Sequence, residues 1–115
     1  MATIEIFIKK QEGNTGLHLS DNEGHSGDGS ITTTVHEGDT VVWQLVANSG
    51  ITAITNIYPK TGSENIFSNP PIQQPDGSWK GTVASSISGS ESYSIDYNIG
   101  EDSYTDDPEI LVDDD

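Results

Sequence analysis

Side chains able to hold a cation or move a proton gather in two stretches of this chain. The first is Glu101-Asp102-Ser103-Tyr104-Thr105-Asp106-Asp107, where Glu101, Asp102, Asp106 and Asp107 supply four carboxylates. Carboxylates this close in sequence repel one another unless a cation or a basic partner lies between them. The second is Asp21-Asn22-Glu23-Gly24-His25-Ser26-Gly27-Asp28-Gly29, with carboxylates at Asp21, Glu23 and Asp28. Hard cations such as Ca²⁺ take about six to eight oxygen ligands from loops of this composition. Both stretches are candidate Ca²⁺ sites, and neither has the spacing of an EF-hand. The plainer reading of each is an acidic loop whose charges are screened by water and salt.

The three histidines, His18, His25 and His36, are dispersed. A transition-metal site would need His18, His25 and a carboxylate to converge, and their spacing does not itself bring them together. His36 adjoins an acidic turn and reads as a surface residue. Tyr104 and Trp79 are candidate ligand contacts. Together with Tyr58, Tyr93 and Tyr97 they would form a stacking platform for a glycan if exposed, whereas aromatics in a small β protein more often pack its core. Catalytic motifs are lacking: the sequence has no G-x-S-x-G elbow, no H-E-x-x-H and no phosphate-binding loop. Carboxylate pairs are so abundant that no one pair points to a hydrolase.

These residues must be positioned by strands. The chain has 115 residues, the length of one domain. Its apolar residues fall in short alternating runs, the pattern of half-buried strands. Residues 2–9 place Ile4, Ile6 and Ile8 on one face. Residues 30–36 place Ile31, Thr33 and Val35 together, and residues 40–46 carry apolar side chains on both faces, as a central, covered strand does. Further strands are expected at 51–58, 78–85, 91–97 and 109–112. Residues 10–29 read as a long, glycine-rich loop, with a brief strand around Leu17 and Leu19. The prolines of 59–77 argue against a central strand there, and Ile66, Phe67 and Ile72 are expected to tuck that loop onto the core. Residues 98–108 read as an acidic loop and 113–115 as a frayed tail. The sum is an all-β Greek-key sandwich of about seven to eight strands.

Composition excludes several function classes. Net charge is −15, with no arginine. Nucleic-acid binding and attachment to an anionic membrane both require Lys and Arg and are not expected. The charge is uneven: residues 61–115 hold twelve acids against one lysine. Such polarity favours solubility and would attract cations or a basic partner. Cysteine is absent, which removes disulfides and thiol chemistry. The first residues alternate and do not form a signal peptide, so the chain as written would remain in the cytoplasm; a secreted protein trimmed of its leader would read the same.

The turn and strand Glu37-Gly38-Asp39-Thr40-Val41-Val42-Trp43, the strand Tyr93-Ser94-Ile95-Asp96-Tyr97 and the short ending Ile110-Leu111-Val112 resemble the cupredoxin family. The resemblance implies a cupredoxin-like sandwich. That family's copper site uses a His beyond the tryptophan region and then a Cys, a His and usually a Met. Residues 44–115 contain none of these. A type 1 site needs the thiolate and two imidazoles, so no copper is expected. The ending Asp107-Pro108-Glu109-Ile110-Leu111-Val112 is also similar to that of bacterial inclusion-body proteins of the PixA and AidA kind. The reading is therefore a non-enzymatic binding or structural module on a copper-free scaffold, its partner an unknown protein, cation or glycan, with homo-oligomerisation through sheet edges as a further expectation. A Ca²⁺-dependent adhesion or carbohydrate-binding domain is the alternative, and a hydrolase using surface carboxylates comes third.

Overall fold

A computed structural model describes residues 2–60, 66–84 and 89–112. These form eleven strands and no helix: β1 (Thr3–Lys10), β2 (Leu17–Asp21), β3 (Ser26–Asp28), β4 (Thr32–Val35), β5 (Thr40–Leu45), β6 (Ala53–Pro59), β7 (Phe67–Gln73), β8 (Trp79–Val83), β9 (Gly89–Ile99), β10 (Asp102–Asp106) and β11 (Glu109–Val112). They build an all-β sandwich of two mixed sheets. The first has the order β3-β2-β1-β5-β8-β7. In the second, the long β9 carries β6 on one side and β10 followed by β11 on the other, and β4 lies outside β11. Two pairings are parallel, β1 with β5 and β4 with β11.

The alternation read from the sequence becomes the core. Ile6 and Ile8 of β1, Leu17 and Leu19 of β2, Val41 and Trp43 of β5, and Ile95 of β9 are fully buried. Trp43 is the main tie between the sheets. Its ring meets Phe67 and Tyr93 edge to face, with centroids 5.8 and 5.6 Å apart. Its indole N–H donates to the Tyr93 hydroxyl at 3.0 Å. Burial pushes the Tyr93 hydroxyl far above its ordinary pKa, with a smaller push from the Asp21 charge, while the Trp43 hydrogen bond pulls the other way. The turn before β5 has its own anchor. Gly38 takes positive φ (80°), where a side chain is strained. The buried Asp39 carboxylate accepts from Ala2 N at 2.8 Å and His36 N at 2.9 Å, which fixes the start of β1 beside the start of β5.

The structure corrects the expected strand count of seven to eight, and the reasons are local. Residues 10–29 are not one long loop: β2 and β3 form a hairpin there, because Leu17, Leu19 and Asp21 all bury one face. Residues 98–108 are not an open loop either. β9 runs on to Ile99 and turns directly into β10, with Tyr104 paired to Tyr97 across the ladder. Within 59–77, β7 does form, but at the sheet edge, where Pro70 and Pro71 need no ladder donor. Ile66 and Phe67 pack into the core as expected, whereas Ile72 is 60% exposed. The expected tail at 113–115 lies outside the described residues.

Replacing Tyr93 by Phe should test the cross-sheet tie. The ring is kept, but the buried indole N–H loses its acceptor, at a cost of about 1–3 kcal/mol. Urea unfolding should show a lower midpoint with an unchanged slope; an unchanged midpoint would mean that the bond contributes nothing net.

Candidate functional site

The β2–β3 turn carries the densest polar arrangement. β2 ends at Asp21 because its side chain points inward and must be satisfied there: it is 7% exposed, and a buried carboxylate needs donors. Four reach it. Oδ1 accepts from the backbone N–H of Glu23 and of His25, each at 3.0 Å. Oδ2 accepts from the Thr33 hydroxyl and from His25 Nδ1, each at 2.9 Å. Because a carboxylate only accepts, His25 Nδ1 must carry the hydrogen. Burial works to raise the Asp21 pKa, but the donors from His25, Thr33 and Glu23 outweigh it and hold the group below its ordinary value.

Thr33 sits on β4, in the other sheet, and is itself buried. Asp21 therefore joins the hairpin to the second sheet. Its neighbour Glu23 reaches the same strand, where Oε1 accepts from Thr34 N at 3.1 Å. Between the turn and β4 lies an open cleft of about 530 Å³ lined by Gly24, His25, Ser26, Ser30, Ile31, Thr32 and Thr34. β4 is the last strand of its sheet. Glu109 N donates to Ile31 O on the inner side, so in a parallel ladder the backbone of Thr32 and Thr34 faces outward, into the cleft.

The candidate cation residues separate into different environments. Ligand atoms of Asp21, Glu23 and His25 all lie within 4.8 Å of one another, the one such group of three among the described residues. Asp28 stands apart, bonded to His18 at 2.7 Å. At the other stretch, Asp106 and Asp107 turn to opposite sides of the chain. Asp106 Oδ2 accepts from Leu17 N at 2.9 Å, and the Tyr97 hydroxyl lies 3.3 Å from its Oδ1. Asp107 accepts from the Ser94 hydroxyl at 2.7 Å and faces Lys60 Nζ at 3.4 Å. Asp102 begins β10 and Asp106 ends it, so about 13 Å of extended chain separates them. Glu101 is exposed in the preceding turn.

The two aromatic candidates are largely inside. Trp79 is 7% exposed, with its indole nitrogen buried and without a hydrogen-bond partner among the described residues. Tyr104 is half-buried and stacks on Tyr97, centroids 5.7 Å apart. Sequence reasoning missed the joining of His25 to Asp21 and Glu23, and the part played by Thr33 and Thr34. A hairpin over 17–28 would have signalled the first, since its turn folds His25 back onto the end of β2.

Because Asp21 has a lowered pKa in the fold, its contribution to stability is complete above the ordinary carboxylate value, about 3.9. That contribution is lost as pH falls through the folded value. Asp21→Asn should therefore cost about 1–3 kcal/mol at neutral pH, and the gap from wild type should close in acid. Denaturant unfolding from pH 7 to pH 2 would measure this; a gap that stays constant with pH would contradict the ionised role of Asp21.

Curated proteins gave no match to the sequence. Among solved structures, the chain is similar to an endo-fucoidan hydrolase from glycoside hydrolase family 107, at 18% identity and a TM-score of 0.46. That likeness covers 87% of this chain but only 18% of the hydrolase, and at that score it says nothing of what this chain binds or does. A family model matches residues 4–105 and so spans nearly all of the described strands; the chain belongs to this family, a domain of unknown function designated DUF8788.

Proposed function

We propose that this chain is a non-enzymatic binding module whose contact surface is the cleft beside β4. The observation that carries the reading is the outward-facing edge of β4, which opens into about 530 Å³ of accessible space. Strand edges are where sheets most readily accept a partner. Apart from His25 and Ile31 the cleft walls are small and polar, with glycine, serines and threonines giving access to the backbone. The scaffold is read as cupredoxin-like and copper-free. The cupredoxin-like part of that reading has in its favour the parallel pairings of β1 with β5 and of β4 with β11, and the Gly38-Asp39 turn that aligns the first of them.

Panning of phage-displayed random peptides tests the proposal, with Ser26→Trp as the counter-target. Ser26 is exposed on the cleft wall, so the indole should fill the cleft without disturbing the core. Peptides selected on the wild type should lose about tenfold or more in affinity for the variant, or roughly 1.4 kcal/mol. Selected peptides that bind both proteins equally would remove the cleft from consideration.

A second reading, cation dependence, has the proximity of Asp21, Glu23 and His25 in its favour. An imidazole among the donors suits Zn²⁺ better than Ca²⁺. Against it, all four hydrogen bonds to Asp21 compete with a metal. A cation that binds only the folded state at about 100 times its Kd adds about 2.7 kcal/mol of stability. Zn²⁺ or Ca²⁺ at millimolar concentration should then raise the melting temperature of the wild type but not of His25→Ala; no rise with either ion would remove this reading and, with it, a Ca²⁺ site at Glu101, Asp102, Asp106 and Asp107.

A further inference from the structure

We infer that the outer edge of β4 takes an extended, basic peptide segment as an added strand, and that the Glu23 side chain holds the place of that segment until it arrives. The inference rests on the binding-module reading above and names its partner. The Glu23 carboxylate oxygen lies 3.1 Å from Thr34 N, on the side of β4 away from β11. A carbonyl of a neighbouring strand would stand in that position and accept the same hydrogen. Glu23 thus supplies one acceptor of a missing strand.

Its neighbour shows what a permanent substitute looks like. Asn22 completes the edge of β1 where β2 has ended. Asn22 N donates to Glu5 O at 3.1 Å, Glu5 N donates to Asn22 Oδ1 at 3.2 Å, and Asn22 Nδ2 donates to Thr3 O at 3.2 Å. Three hydrogen bonds hold Asn22 on β1, against the one from Thr34 N to the Glu23 carboxylate, whose Oε1 also lies 3.6 Å from His25 Nδ1. The Glu23 contact is exposed and can be exchanged for an incoming carbonyl without loss of a donor. The rest of the turn would stay in place, because Asp21 fixes it through Thr33.

Charge selects the partner. The ionisable groups along this edge are Glu23, the buried Asp21, His25, which is bonded to Asp21, and Glu109, which accepts from the Thr32 hydroxyl at 3.3 Å. None of the four lysines lines the cleft. A second copy of the chain would bring a further charge of −15 against the first. A basic segment gains attraction instead, and its backbone could approach β4 past Gly24, Ser26 and Ser30.

The test uses the whole chain, labelled for amide NMR, and three short acetylated, amidated peptides: alternating lysine and threonine, the same with a central proline, and the same with glutamate for lysine. The lysine peptide should shift the Thr32 and Thr34 amides and slow their exchange. The proline peptide should bind about tenfold more weakly, since it lacks a ladder donor, and the glutamate peptide should not bind. Glu23→Ala should bind the lysine peptide about threefold or more tightly than Glu23→Gln at high salt, where the lost charge matters little and the remaining acceptor decides. If the lysine and proline peptides shift the cleft amides with equal affinity, strand addition is overturned while the cleft reading stands. If no peptide shifts them in any variant, the inference falls, and the panning experiment decides separately whether the cleft reading falls with it. If Glu23→Ala dimerises without peptide, the occupant is a second copy and the basic partner is overturned.

Discussion

One buried carboxylate organises the open side of this sandwich. Asp21 could not be left inside without donors, because stripping water from a charge costs far more than a turn or a strand can return. Its donors come from two places: the turn that follows it, and Thr33 in the opposite sheet. Satisfying Asp21 therefore does three things at once. It closes the β2–β3 hairpin, fixes the imidazole of His25, and sets the distance between the hairpin and β4. The cleft exists because that distance is fixed while, among the described residues, β4 has no further strand beside it. Two strands away from Asp21 in the same row, on the far side of Ile6, Trp43 and Tyr93 tie the sheets differently, with a large buried area and a single polar bond.

Much of the fold was legible in the sequence, and the parts that were not share a cause. β1 and β4 announce themselves by alternation, since one face is more apolar than the other, and β5 by apolar side chains on both faces. Glycine and proline then misled. Gly24, Gly27 and Gly29 made 10–29 look like loop, yet two of them, Gly24 and Gly29, take positive φ at the ends of a short strand. Pro70 and Pro71 made 59–77 look irregular, yet an edge strand has one side that needs no donor. Acidity hid β10: Asp102, Ser103 and Thr105 face solvent, so only Tyr104 and Asp106 report the buried side.

The site was less legible because its members are joined by the hairpin and not by sequence spacing. Asp21 and Glu23 stand out by composition, but whether they meet a cation, a histidine or a neighbouring strand depends on where the turn points. Sequence grouped them with Asp28, while the ladder sends Asp28 to His18. Adjacent Asp106 and Asp107 were grouped for the same reason, and extended backbone sends them to opposite faces. Thr33 and Thr34 carry no sequence signal beyond β propensity, and they are the residues that make Asp21 and Glu23 matter.

The two sheets protect their edges by different chemistry. β7 closes one edge of the first sheet with Pro70 and Pro71, which delete backbone donors outright. Nothing that approaches can restore those hydrogens. β4 keeps its donor, and the Glu23 carboxylate covers it from a turn that is anchored elsewhere. A deleted donor blocks strand pairing against every partner, whereas a covered donor blocks it only against partners that cannot displace a carboxylate. In a chain this acidic, the segments best able to displace one are those that offer a carbonyl to Thr34 and a positive charge to Glu23 together.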